Sequence, residues 1–502
     1  MKNSIAKNTL LLYIRMLLMT GVTLYTSRII LDQLGVSDYG IYNLVAGMVA
    51  MLGFLNASMA TATQRYLSYD IGKGDFGQLK ITFSTSLTIH FALALVGLIV
   101  AETIGLWYVN YKMVFPVERT FAVNVVYQFS VLVFLLGIIQ VPYNSLILAR
   151  ERMNIYAYVS IAEAFLKLVI AYSLVSVQED KLIVFSILTF IVALIVRLIY
   201  QFYCRRVFKE SHYKFSFNRE YFSELLSYSG WNLFGNIAAV LRSQGSNVVL
   251  NLFFGTLVNA AYGITLQVQG AINMFVSNFQ MALNPQIVQM YAANNLKRSK
   301  ELVMQGCKLS FLLMLFIVFP ILYNTQFLLD IWLKHVPKYT VEFVQIALIA
   351  ILIDSMSTPI ATLLQATGQI KLYQISVGGL NLLVIPISYF YLLRGGAPIS
   401  VQYIILTFSF ISLFFRIFFA MRQLKFDLKV FIRTIIFPVL LVSIVAFGIY
   451  GGANYFFNVS TPISFLLTTV FCSLCLLCAI FVLALQDGEK KMIYNLISGR
   501  KK

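Results

Sequence analysis

The chain has 502 residues, of which 59% are hydrophobic and only 12% charged, and its mean hydropathy is +0.81. Soluble globular chains are roughly 45–50% apolar and about 25% charged, so this composition excludes an ordinary soluble domain. Five cysteines exclude a disulfide-stapled scaffold, and 42 Phe and 29 Tyr exclude a disordered chain. The composition predicts an all-α integral membrane protein.

Long apolar segments follow one another along the whole chain. A membrane-spanning helix needs about 20 mostly apolar residues, and fourteen segments meet this requirement. In chain order, they cover residues 8–32, 39–63, 81–106, 119–147, 154–177, 181–204, 227–252, 257–284, 302–323, 341–366, 372–393, 399–421, 430–451 and 462–485.

The net charge of +18 follows the same alternation of spans and loops. With the N-terminus inside, 26 of the 38 Lys and Arg fall in predicted cytoplasmic segments or at cytoplasmic span ends. Six fall in outside loops and six within spans. This excess of basic residues on one side is the positive-inside pattern. It predicts that both termini are cytoplasmic, and it requires no nucleic-acid partner.

Segments that lie 217–223 residues apart resemble one another. The tripeptide Tyr39-Gly40-Ile41 follows Gly35, and Tyr262-Gly263-Ile264 follows Gly255. Six spans separate the copies, so two six-helix lobes share one orientation around a central cavity, as in transporters built from parallel repeats. The sequence therefore predicts an N-terminal lobe at 1–210, a C-terminal lobe at 211–425, and two additional helices with a cytoplasmic tail at 426–502. Such lobes predict alternating access.

Ionisable side chains inside a bilayer are costly and are therefore functional candidates. Arg15, Lys167 and Arg242 lie inside their spans, whereas the mid-span acids are Glu163 and Asp354. An excess of cations favours an anionic cargo, and the two acids are the candidates for coupling to an ion. Arg242 leads the cationic candidates because no acidic residue lies within one helical turn of it.

Four other basic residues have positions that a structural role would explain without cargo binding. Lys167 stands four residues after Glu163 and Arg28 four residues before Asp32, which are spacings that also predict local ion pairs. Arg197 and Arg416 lie toward the cytoplasmic ends of their spans, so we expect them to extend to the membrane surface.

Polar residues form stripes on the seventh and eighth spans. Amides and hydroxyls on one helical face suit sugar hydroxyls or a water-lined cavity, although helix–helix hydrogen bonds use the same residue types. The stripe residues predicted to line the cavity are Asn232, Asn236, Ser243, Asn247, Gln269, Asn273 and Gln280.

Signatures of an enzyme or of a bound cofactor are poor. The three histidines lie in separate segments, so no metal cluster is predicted. No phosphate-binding Gly-x-x-x-x-Gly-Lys-Ser/Thr run is present, so this chain carries no nucleotide-driven motor of its own. The sequence predicts a transporter that draws on an ion gradient, the membrane potential or the cargo gradient.

Several motifs resemble those of a known family. Residues 28–42, Gln64-Arg65-Tyr66-Leu67, the turn at 148–152 and the stretch 231–285 are similar to bacterial polysaccharide flippases of the O-antigen and exopolysaccharide type. These flippases belong to the multidrug/oligosaccharidyl-lipid/polysaccharide exporter superfamily. The likeness covers nearly the whole chain and agrees with fourteen spans.

The resemblance implies a function in polysaccharide or lipopolysaccharide biosynthesis at the bacterial inner membrane. The expected cargo is an undecaprenyl-diphosphate-linked oligosaccharide, moved from the inner to the outer leaflet, and the expected partners are a polysaccharide polymerase or glycosyltransferases. Family-like contexts surround Arg28, Arg65 and Lys167, which would contribute to a cationic cavity. For Arg15 and Arg242 the argument is physical.

Three alternatives stay open. A flippase for a lipid-linked peptidoglycan precursor needs the same polar, cationic cavity. A cation-coupled multidrug exporter would need cavity acids for cationic drugs. A membrane-embedded glycosyltransferase would need a catalytic carboxylate in an outside loop, and the outside loops are short.

Overall fold

The computed structural model describes residues 2–50, 53–111, 113, 115–214, 219–333, 336–456, 461–486 and 489–490. Within these ranges some helical side chains, including that of Arg28, lie outside the description. The described backbone is helical apart from short connections and contains no β-strand. The predicted all-α class is therefore confirmed.

We number fourteen helices over the described ranges. They are α1 (Lys2–Ala50), α2 (Gly53–Lys73), α3 (Phe76–Tyr111), α4 (Val117–Ala149), α5 (Met153–Ser176), α6 (Lys181–Val207), α7 (Arg219–Ala292), α8 (Leu296–Tyr323), α9 (Thr325–Trp332), α10 (Thr340–Ala366), α11 (Lys371–Leu393), α12 (Ser400–Leu424), α13 (Leu428–Ala453) and α14 (Pro462–Ala484).

Ten of the helices built from described residues are long and apolar enough to cross a membrane: α3–α6, α8 and α10–α14. They overlap ten of the fourteen predicted spans, so the chain is a multi-pass membrane protein. The four other predicted spans lie on α1, α2 and α7. In α1 and in α7, two helices continue into one another through a kink rather than being separated by a loop.

The kinks of α1 and α7 occur at glycines in the same unusual backbone conformation. Gly35 has φ 74° and ψ 167°, and Gly255 has φ 70° and ψ −162°. A side chain strains the backbone at such angles, so essentially only glycine adopts them. The two residues are 220 positions apart, inside the spacing that the sequence repeat predicts.

The turns that start α3 and α8 repeat at the same spacing. The Asp75 side chain accepts a hydrogen bond from Gln78 N at 2.9 Å, and the Asn295 side chain accepts one from Arg298 N at 3.1 Å. Such N-caps satisfy backbone donors that the first helical turn leaves unpaired. Matching kinks and caps, each 220 residues apart, support a duplicated helical unit.

The described residues form two compact units. The N-terminal unit contains Ser4–Leu233 together with Val288–Asn294, and the C-terminal unit contains Phe234–Ile287 and the described residues from Asn295 onward. In the N-terminal unit α4 packs against α2, α3 and α6, and in the C-terminal unit α10 packs against α8 and α12. The predicted three-part division and the central cavity stay predictions.

Three segments of the N-terminal unit meet at one arginine. Arg119, at the start of α4, donates to Asp180 at 2.6 and 3.0 Å and to Asp38 at 2.6 Å. Partial burial raises the pKa of the Asp180 carboxyl, but hydrogen bonds from Arg119 and from Ile183 N lower it further, so the pKa lies below its usual range. This ionic contact fixes α1, α4 and α6 at one end of the unit.

Candidate functional site

A cavity of about 320 Å³ lies within the C-terminal unit. Four helices of that unit, α7, α10, α11 and α12, supply its walls. The polar side chains that line it are Arg242, Ser243, Tyr262, Gln269, Asn273, Asp354, Thr358, Asn381, Gln402, Ser412 and Arg416.

Arg242 is held at this cavity by three helices. One guanidinium nitrogen donates to Asn381 Oδ1 at 3.1 Å, and the other donates to Ser409 Oγ at 3.1 Å and to Asp354 Oδ2 at 3.4 Å. Ser409 also donates to Asp354 Oδ2 at 3.2 Å. The leading cation of the sequence analysis therefore pairs with a candidate coupling acid that is 112 positions away.

Arg416 is the second cation of the cavity. It donates to the hydroxyl of Ser357 on α10, so the expectation that it extends to the membrane surface is wrong. The sequence predicts that Arg197 also extends to the membrane surface, but its guanidinium is buried and lies 4.4 Å from the ring centre of Tyr143. In both cases a neighbouring helix offers a polar or aromatic contact that holds the side chain inside the protein.

Several buried polar atoms at the cavity have no hydrogen-bond partner among the residues that the structure describes. They are Gln402 Oε1, Ser412 Oγ and Arg416 Nε, and Gln402 and Ser412 are only 2% and 3% exposed. Buried polar groups are normally hydrogen-bonded, because an unpaired one costs free energy. Atoms of this kind around a cavity indicate that water or a polar ligand completes their hydrogen bonds.

The cavity carries more positive than negative charge. Arg242 and Arg416 contribute two guanidinium groups, whereas Asp354 is the one carboxylate among the lining residues. Only 18% of the Arg242 side chain is exposed, so solvent screens it weakly, and 40% of Asp354 is exposed. The arrangement favours an anionic group and keeps one acid accessible.

Some of the predicted stripe residues line the cavity and others do not. Ser243, Gln269 and Asn273 line the cavity, whereas Gln280 is buried and donates to the carbonyl of Ser355 at 3.3 Å. Gln280 thus makes the helix–helix hydrogen bond that was the alternative interpretation of these stripes.

Three other stripe residues lie away from the cavity lining. Asn232 is buried in the N-terminal unit, and Asn236 and Asn247 are partly buried in the C-terminal unit. Asn247 Oδ1 is buried and accepts no hydrogen bond from the described residues. Their predicted contact with cargo stays a prediction.

Lys167 and Glu163 form the local ion pair that their spacing allows. Lys167 Nζ lies 2.7 Å from Glu163 Oε1 on an exposed face of α5 in the N-terminal unit. Arg15 lies in the same unit, with its guanidinium over the ring of Tyr156 at 4.6 Å. Arg15 Nε and Nη1 are buried without a hydrogen-bond acceptor among the described groups.

Arg65 is enclosed by tyrosines. Its guanidinium lies 4.4 Å from the ring centre of Tyr66, 5.0 Å from that of Tyr69 and 5.2 Å from that of Tyr228, and the residue is 7% exposed. Cation–π contacts of this kind stabilise a cation away from water. The Arg28 side chain lies outside the described residues, so its predicted role stays a prediction.

Sequence reasoning missed Asn381, Ser409 and the cavity position of Arg416. Asn381 lies in an apolar stretch of α11, but Gln402, Ser409, Ser412 and Arg416 recur on α12 at spacings of seven, three and four residues. The polar face of α12 could therefore have been found from the sequence. The described part of the chain contains no group of three metal-ligating side chains. His90 is buried and its Nδ1 contacts the carbonyl of Ser86 at 2.7 Å, which is a structural contact.

Comparisons by sequence give one family match. Residues 232–390, which include α8, α9 and α10 and most of α7 and α11, match the profile of the family described as MatE. No curated protein is significantly similar to the chain.

Comparisons by structure extend the likeness to most of the chain. An outward-facing multidrug resistance MATE family transporter of the MOP superfamily superposes with a TM-score of 0.73 at 12% identity, covering 84% of this chain and 96% of its own. A MOP superfamily transporter from Pyrococcus furiosus, described as having a binding pocket of reverse polarity, gives 0.71 at 13% identity over 84% and 96%. A MATE transporter from Vibrio cholerae gives 0.67 at 18% over 85% and 100%. The chain therefore has the fold of the MATE transporters of the MOP superfamily.

Proposed function

We propose that this chain is a membrane transporter, not an enzyme, that moves an amphiphilic anion across the membrane by alternating access. The cargo class proposed is a lipid-linked oligosaccharide carrying an undecaprenyl diphosphate. The observation that carries the proposal is the C-terminal cavity, in which Arg242 and Arg416 outnumber Asp354. The MATE-like fold supports the transporter part of the proposal.

The cavity has the chemistry that such a cargo needs. A diphosphate binds guanidinium groups through charge-assisted hydrogen bonds, which are stronger than neutral ones. Gln269, Asn273 and Gln402 offer amides beside the two arginines, and amides pair well with sugar hydroxyls. Gln402 Oε1 and Ser412 Oγ, which have no partner in the described part of the chain, would gain partners from a hydroxylated ligand.

The positive-inside pattern supports a location in the bacterial inner membrane with both termini in the cytoplasm. In that orientation the chain would take its cargo from the inner leaflet. A polysaccharide polymerase or glycosyltransferases would supply or consume the translocated unit. A lipid-linked peptidoglycan precursor carries the same diphosphate, so the cavity would suit that cargo as well.

A cation-coupled multidrug exporter is the second candidate. The family match and the names of the similar structures, one of them a multidrug resistance transporter, support this function more directly than they support a flippase. The accessible carboxylate of Asp354 could bind a coupling cation or a cationic drug. The two hypotheses differ in the cavity charge that matters, because a drug exporter needs the acid and a flippase needs the arginines.

The test is a transport assay in proteoliposomes with variants of the cavity. Arg416→Gln removes one positive charge without disturbing the Arg242–Asp354 pair. We expect it to lower the flipping rate of an undecaprenyl-diphosphate oligosaccharide at least about tenfold, since a hydrogen bond to a charged group contributes roughly 1.5–3 kcal/mol. Arg422→Gln, an exposed residue on the same helix, is the matched control and should leave the rate unchanged.

The same liposomes are tested with a cationic dye. The flippase proposal predicts little dye export by the wild type. Dye export that is lost in Asp354→Asn and retained in Arg416→Gln would instead establish the exporter.

A further inference from the structure

A second polar cavity, of about 630 Å³, lies within the N-terminal unit. Three segments form it: the start of α3, the turn between α4 and α5, and the end of α6 with the residues that follow. Its lining residues are Phe76, Lys80, Arg150, Arg152, Val207, Phe208, Lys209 and Glu210. All three segments belong to loops or span ends that the positive-inside pattern places on the cytoplasmic side. The structure thus brings three separate basic segments of one predicted face to a single cavity.

The cavity is strongly cationic. Lys80, Arg150, Arg152 and Lys209 line it, against the single lining carboxylate of Glu210. Glu210 is 7% exposed and is already bound by Arg150, whose Nε donates to Glu210 Oε1 at 2.8 Å and whose Nη2 donates to the same oxygen. Lys80, Arg152 and Lys209 form no ion pair with the described residues, so three lining cations have no carboxylate bound directly to them in that part of the chain.

Arg150 is fixed in place as well as paired. Its guanidinium lies 5.3 Å from the ring centre of Phe76 and 5.7 Å from that of Phe208. A guanidinium that is held between two rings and a buried carboxylate loses little conformational entropy when it binds a ligand. This contact distinguishes the cavity from a set of solvated surface lysines.

Apolar surface adjoins the cations. Phe76 is 58% exposed and Val207 is 46% exposed. An amphiphile with a charged head and an apolar body fits such a boundary, and basic pockets between helices at the cytoplasmic surface are known to bind anionic lipid headgroups. A free soluble anion would gain nothing from the two apolar side chains.

We infer that this cavity binds the phosphate headgroup of an anionic phospholipid from the cytoplasmic leaflet. Lys80, Arg152 and Lys209 bind the phosphate, Arg150 lies beside them as a fixed cation, and Phe76 and Val207 contact the glycerol and upper acyl region. The inference does not depend on which cargo the C-terminal cavity carries, since the two cavities share no residue.

The experiment measures binding of phosphatidylglycerol to the purified full chain by native mass spectrometry. The test variant is Lys80→Gln/Arg152→Gln/Lys209→Gln, which leaves the Arg150–Glu210 pair intact. The matched control, Lys297→Gln/Arg422→Gln/Lys429→Gln, removes three exposed basic residues on the same predicted side of the C-terminal unit. Phosphatidylcholine and inorganic phosphate are the comparison ligands.

We expect the wild type and the control to bind phosphatidylglycerol alike, and the test variant to bind it at least about tenfold more weakly, because each basic residue near a membrane contributes about 1 kcal/mol. Equal loss in the control would overturn the inference, since binding would then follow overall charge. Inorganic phosphate binding as tightly as the lipid would also overturn it, in favour of a soluble anion. Lys80→Gln/Lys209→Gln, with unchanged thermal unfolding in detergent, is the second variant if the triple variant does not fold.

Discussion

Arg242 and Asp354 show how a charge is kept inside an apolar helical unit. Breaking a buried ion pair by removing one partner leaves an uncompensated charge, which is more costly than losing both. Asn381 and Ser409 add hydrogen bonds to the pair and hold Arg242 at the cavity wall. Arg242 is therefore held at the cavity wall, and its carboxylate partner is partly exposed.

Asp70 gives a pH-dependent prediction at the scale of one residue. It lies beyond the predicted span 39–63, and burial raises the pKa of its carboxyl from 3.8 to about 6, although a hydrogen bond from Thr82 lowers it. The folded state holds the Asp70 proton more tightly than the unfolded state does. The contribution of Asp70 to the free energy of unfolding is therefore largest below about pH 4 and falls as pH rises to about 6. The loss is about 3 kcal/mol at 1.36 kcal/mol per pKa unit.

Thermal unfolding in detergent measures this effect. The wild-type midpoint should fall between about pH 4 and pH 7, and the midpoint of Asp70→Asn should vary less over the same range. Glu342→Gln, an exposed carboxylate in the C-terminal unit, serves as the control and should follow the wild type. Identical profiles for Asp70→Asn and the wild type would show that Asp70 does not titrate in this range.

At the scale of the helix, α1 and α7 depend on glycine at one position each. A Cβ at Gly35 or Gly255 would meet no atom within 4 Å, so the requirement comes from the backbone angles and not from packing. Gly35→Ala and Gly255→Ala should each cost about 1–3 kcal/mol of stability. Lower thermal midpoints in detergent would report this cost.

Gly21→Ala and Gly270→Ala are the matched controls for the kinks. Both lie on the same two helices, have ordinary helical angles and also meet no atom within 4 Å. Alanine there should leave the midpoint unchanged or raise it slightly, since alanine favours the helix. Equal destabilisation by all four substitutions would contradict the account of the kinks.

The elements were largely predictable, and the contacts between them were not. Apolar runs of about 20 residues predict spans, and ten of them correspond to candidate spans in the structure. The i,i+4 rule reaches only one helical turn, so it anticipates Glu163–Lys167 and cannot find Asp354 for Arg242. The position of Arg416 along α12 suggested the membrane surface, because a single helix says nothing about Ser357 on its neighbour.

At the scale of the whole molecule, the charge distribution predicts orientation. His212→Cys and Glu118→Cys place one exposed thiol in the segment 205–226, predicted to be cytoplasmic, and one in a predicted outside loop. A membrane-impermeant maleimide applied to intact spheroplasts should label Glu118→Cys and should reach His212→Cys only after permeabilisation. The wild-type chain gives the background from its own cysteines, and the opposite labelling pattern would reverse the topology.

The fold alone leaves the cargo open, because one fold hosts many functions and the site decides between them. One similar structure is described as a multidrug resistance transporter, whereas the C-terminal cavity of this chain is lined by two arginines and one acid. The charge of the cavity is therefore the property that distinguishes an anionic lipid-linked cargo from a cationic drug.

The most direct test compares two cargoes on the wild-type protein in one set of proteoliposomes. Translocation of a fluorescent undecaprenyl-diphosphate oligosaccharide and export of a cationic dye are followed side by side. We expect rapid translocation of the lipid-linked anion above the protein-free background and dye transport close to that background. Dye export driven by an imposed cation gradient, with no translocation of the lipid-linked anion, would contradict the flippase proposal.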